Sequence, residues 1–142
     1  MAAKIVMLLS ASISFVLGLV HLVYTFWEPL LTPRDPTLQI RMSEIAPVLT
    51  NETTMWRCWM GFNVSHSMGL ILFGLVFGYL ALAHDQLLFR SPFLLAVGFA
   101  MLVGIVVLCK VYFFSSPLTG MSLSLACYIV SIALSRIPLL RS

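Results

Sequence analysis

Three sets of side chains able to do chemistry recur at helical spacing in otherwise apolar stretches of this chain. Ser10, Ser14, Gly18, His21, Thr25 and Glu28 follow one another at steps of three and four, which places them on one face of an α-helix. By the same arithmetic Trp59, Asn63, His66, Leu70, Phe73 and Phe77 share a face, so Asn63 and His66 are predicted to point the same way. Gly120, Ser124, Tyr128, Ser131 and Ser135 form a third stripe. Imidazole is the side chain best suited to proton transfer near neutral pH, so His66 and His21 are the candidate general acid or base. Glu28 would supply or take the proton at the rim, and Asn63 or Tyr128 would polarise an oxygen. With Tyr24, Trp59 and Ser124 they are expected to line one polar pocket in the outer half of a helix bundle. A second reading is structural: each imidazole, and Asn63 with them, would bridge two helices through one hydrogen bond.

The elements that must position these residues follow from composition. Of 142 residues, 61% are hydrophobic and 9% charged. The mean hydropathy is +1.04. Soluble domains carry about a quarter charged residues, and no water-soluble core of this length could use so much apolar surface. Hydrocarbon demands such content, because every backbone N–H and C=O must pair inside its own helix. The fold class expected is therefore all-α: an integral membrane four-helix bundle, one transmembrane domain, with spans at about 5–26, 56–83, 92–114 and 117–137.

The first apolar run continues past the length of a signal-peptide core and is read as a span, closed by Trp27 and Pro29. The stretch from Leu30 to about Thr54, with Pro33, Asp35, Pro36, Glu44, Pro47, Asn51 and Glu52, is too polar to cross and is the one long outer loop. Within it Leu38, Met42, Ile45 and Leu49 recur at helical spacing, which predicts a short amphipathic helix in the interface or over the bundle. Thr53 or Thr54 would cap the second span, opened by Trp56 and Trp59. Ser91-Pro92 and Ser116-Pro117 repeat one helix-start signature, a cap residue followed by proline at the first helical position. Gly74 and Gly78 make a step for close helix approach, and Lys110 is expected to snorkel to the interface.

Basic residues are scattered, with no stripe to hold a nucleic acid backbone, so that partner class is rejected. Cys58, Cys109 and Cys127 form no CxxC pair and no spaced Cys/His set, which argues against dithiol redox chemistry, a structural zinc site and any metal assignment. Lys4, Arg90, Arg136 and Arg141 flank the spans on the N-terminal side and Arg34, Arg41, Arg57 and Lys110 on the other, so the count alone does not decide; short flanks weigh more than the long loop, where most acidic residues sit, and both termini are therefore expected in the cytoplasm. Asn51-Glu52-Thr53 matches the loose pattern of a glycosylation acceptor.

The run Met55-Trp56-Arg57-Cys58-Trp59-Met60-Gly61-Phe62-Asn63-Val64-Ser65-His66-Ser67-Met68-Gly69, with Gly18-Leu19-Val20-His21 and the Pro33-Arg34-Asp35 turn, resembles a family of small uncharacterised four-span bacterial membrane proteins. That resemblance covers nearly the whole chain, implies the four-span architecture in a bacterial inner membrane and singles out His21, Asn63 and His66, but carries no activity. A looser likeness is to DoxX-type four-helix membrane proteins and to sterol-isomerase-like bundles with His, Asn and acidic residues in a lipophilic pocket.

Three functions are compatible with these residues. The first is a pocket for a lipophilic small molecule (a quinone, isoprenoid or sterol-like lipid), with or without histidine-mediated proton transfer. The second is a non-catalytic accessory subunit, partnered by a larger membrane complex or by copies of itself. The third is haem ligation by His21 and His66. The residues name no cofactor.

Overall fold

The computed structural model describes residues 1–27 and 29–137 of the chain. It is all-α, a four-helix bundle protein whose long helices are α1 (Ala2–Phe26), α3 (Met55–Ala83), α5 (Pro92–Tyr112) and α6 (Ser115–Arg136). All four are long and apolar enough to cross a membrane. Two shorter helices, α2 (Pro36–Glu44) and α4 (Asp85–Arg90), and a 3₁₀ turn at Pro29–Leu31 are the other helical elements among the described residues.

Helix boundaries follow the expected spans to within a few residues, and the departures have local causes. Ser91 caps α5 as its sequence signature requires, its hydroxyl accepting the Leu94 N–H at 3.3 Å with Pro92 following. The Ser116-Pro117 signature fails. Helix α6 begins at Ser115, its cap is Phe114 with no side-chain hydrogen bond, and Pro117 sits within the first turn. Proline is tolerated there because the first-turn N–H groups have no intrahelical partner to lose. The link between the second and third spans is itself helical, and Leu88 of α4 is fully buried.

The chain divides into two compact units. The first comprises Met1–Leu17 and the chain from Leu70 onward, and draws on all four long helices. Its α1–α6 seam is held by hydroxyls. Ser10 Oγ donates to the Ser124 carbonyl at 2.8 Å and Ser124 Oγ donates to the Ser10 carbonyl at 2.9 Å. With the Ser124 proton so used, Ser14 donates to Ser124 Oγ at 2.8 Å. One end of the seam is closed by Ser131 Oγ, which donates to the Ala3 carbonyl at 2.7 Å. Where α1 meets α3, a Cβ on Gly74 would lie 2.5 Å from Phe15 Cβ and 2.7 Å from the Ala11 carbonyl oxygen, so only glycine permits the approach. Gly98 of α5 plays the same part beneath Phe77 and Tyr128. Phe73 stacks on Phe77 at 4.5 Å between centroids, and Tyr128 meets Phe77 edge-on at 5.7 Å. Lys4 Nζ donates to the Leu82 carbonyl at 2.7 Å, a cation at the negative end of α3.

The second unit, Gly18–Gly69, holds the C-terminal part of α1, the N-terminal half of α3 and the connection between them. Thr54 caps α3, its hydroxyl accepting the Arg57 N–H at 3.4 Å. Asp35 caps α2 by accepting the Thr37 N–H at 2.9 Å. The connection is tied to α3 where Met55 N–H donates to the Ile45 carbonyl at 2.8 Å and Trp59 Nε1–H donates to the Leu31 carbonyl at 3.0 Å. Helix α2 buries no residue, and Leu38, Ile45 and Leu49 are all exposed.

Candidate functional site

In the second unit α1 supplies His21 and α3 supplies Asn63 and His66. Asn63 and His66 are three positions apart, slightly less than one helical turn, so both lie on one flank of α3. His21 Nε2 and Asn63 Oδ1 are 3.2 Å apart, and the rings of His21 and His66 meet edge to face at 5.2 Å between centroids. Asn63 is buried, while both histidines are half-buried.

The hydrogen bonds around Asn63 fix the protonation pattern of its partner. Asn63 Nδ2 donates to the Trp59 carbonyl at 2.8 Å, which leaves Oδ1 facing His21. An amide oxygen can only accept, so His21 Nε2 carries the proton of this bond and the neutral ring keeps its lone pair on Nδ1. Thr25 Oγ1 donates to the His21 carbonyl at 2.8 Å, and Ser67 Oγ donates to the Asn63 carbonyl at 3.0 Å. These hydroxyls satisfy themselves on their own helices, and His21 keeps the Nδ1 lone pair that its bond to Asn63 leaves unused.

The other residues expected at the site are placed as follows. Tyr24 lies on α1 and is exposed. Trp59 is also exposed, and its indole N–H is directed to the Leu31 carbonyl. Ser124 and Tyr128 belong to the first unit: Ser124 is engaged with Ser10 and Ser14, and the Tyr128 hydroxyl donates to the Leu95 carbonyl at 3.0 Å. Both are fully buried with their protons committed to protein acceptors. Glu28 lies outside the described residues. Ser67 was not singled out by the stripes, although its position four residues after Asn63 is the available signal for it.

Among the described residues no group of three or more His, Cys, Asp or Glu side chains comes together as a metal site. Comparison of the chain with protein-family models, with curated proteins and with solved structures returned no match in any of the three.

Proposed function

We propose that this chain is a small polytopic membrane protein that binds a lipophilic molecule with an oxygen-bearing head, of the quinone, isoprenoid or sterol-like class, at His21, Asn63 and His66. The observation that carries this reading is the His21–Asn63 hydrogen bond with His66 edge-on beside it, on helix segments otherwise built from apolar residues. Ionisable residues within spans are costly and mark ligand or proton pathways by default. His21 Nδ1 would accept from a ligand hydroxyl, and the paired rings suit proton exchange with such a head group. We place both termini in the cytoplasm of a bacterial inner membrane, which rests on Lys4, Arg90 and Arg136 at one end of the spans and on the resemblance of the Asn63–His66 segment.

Two other readings are less favoured by the geometry. Coaxial imidazoles on one iron, at about 2 Å from metal to nitrogen, would put ring centroids about 6 Å apart with a porphyrin sheet between them. The rings here approach to 5.2 Å, and His21 Nε2 is engaged with Asn63. The accessory-subunit reading leaned on small-residue faces, yet Gly74 is taken up by α1 and the serine stripe of α6 by Ser10 and Ser14, all within one chain.

The test is extraction of lipids from purified wild type and His66→Ala. A discrete lipophilic species present in wild type and depleted in the variant supports the reading; equal recovery from both overturns it.

A further inference from the structure

The first unit carries a cation that the proposed lipophilic site does not use. Arg90 is the last residue of α4, and no hydrogen bond or ion pair to its guanidinium is found among the described residues. It faces an open groove of about 310 Å³ formed with Gln86, Leu87 and Ser91. Gln86 and Arg90 are one helical turn apart, and burial of Leu88 on the inner side of α4 holds that turn against the bundle. Ser91 accepts the Leu94 N–H through its oxygen, so its own proton remains to be donated.

We propose that this groove holds the phosphate head group of an anionic phospholipid. The guanidinium fork matches two phosphate oxygens, and the Gln86 amide and Ser91 hydroxyl add neutral donors beside it. Leu87 lines the groove and is exposed, as is Phe93 two positions after Ser91 in the chain, which gives acyl chains an apolar surface to lie on. A free phosphate ion would make no use of those two side chains. The charge balance at this end of the unit also favours an anion. Lys4 reaches the Leu82 carbonyl just before α4, and the acid of the α4 turn, Asp85, has its carboxylate turned to the Gln86 backbone N–H at 3.0 Å.

The experiment uses the full chain in nanodiscs of phosphatidylcholine with a minor share of phosphatidylglycerol, and native mass spectrometry to count which lipid stays bound. Wild type is expected to retain phosphatidylglycerol preferentially, and Arg90→Gln to lower that preference about fivefold, the weight of one basic residue at a lipid surface. Arg136→Gln, which removes an exposed cation outside the groove, is expected to leave it unchanged. Equal loss in both variants would mean diffuse surface charge, and displacement of the lipid by excess inorganic phosphate would mean a free-anion site; either result overturns the proposal, as does full retention by Arg90→Gln.

Discussion

His21 donates through Nε2 to Asn63 Oδ1 across 3.2 Å, and Asn63 is held in the accepting orientation by its own bond to the Trp59 carbonyl. One amide thus joins α1 to α3 and selects which nitrogen of His21 keeps its lone pair. The consequences reach both spectroscopy and stability.

Replacing Asn63 by Leu removes the acceptor while keeping the side-chain volume roughly constant. The His21 ring then loses its fixed tautomer, and ¹⁵N spectra of histidine-labelled protein are expected to change from a single Nε2–H signal to a mixture. The stability cost is expected at about 0.6 kcal/mol, rising toward about 1.7 kcal/mol, the range for interhelical hydrogen bonds in a bilayer. An unchanged His21 spectrum would show that Asn63 does not set the tautomer.

Glycines separate into two classes with opposite expected outcomes. Gly74→Val drives carbon atoms into Phe15 and the Ala11 carbonyl and should destabilise by about 1–3 kcal/mol in detergent unfolding. Gly61 and Gly104 meet nothing within 4 Å, so Gly61→Ala and Gly104→Ala should be neutral or stabilising by up to about 1 kcal/mol through helix propensity. Parallel unfolding curves for all three variants check the contrast.

Tyr128→Phe deletes the hydroxyl bonded to the Leu95 carbonyl. A loss of about 0.5–1.5 kcal/mol is expected in unfolding, with lipid retention at the histidines unaffected. A selective loss of retention without loss of stability would instead return Tyr128 to the binding site.

Ser10 and Ser124 exchange hydroxyl-to-carbonyl bonds, so their contributions should be coupled. A double-mutant cycle with Ser10→Ala and Ser124→Ala is expected to give an interaction energy of at least about 0.5 kcal/mol. Strict additivity would contradict the reciprocal bonding.

The sequence made the four spans and the histidine face legible because their signals are long and periodic. Steps of three and four put His21 on one stripe and Asn63 with His66 on another, and the structure brings those three side chains together. Equal depth says nothing about which neighbour a hydroxyl meets, and in an apolar interior each takes the nearest carbonyl, here those of Ser10 and Leu95. Helix α4 escaped because six residues are too few to display a period. The start of α6 was misplaced because proline is compatible with any position in a first turn.

The central claim is that His21 and His66 together hold a lipophilic ligand, and native mass spectrometry of the intact protein released from membrane-derived nanodiscs tests it most directly. The account predicts one discrete adduct on wild type and on Tyr128→Phe, and its loss from His21→Ala and from His66→Ala while both variants keep their helical content. The same adduct at the same occupancy on both histidine variants would contradict it.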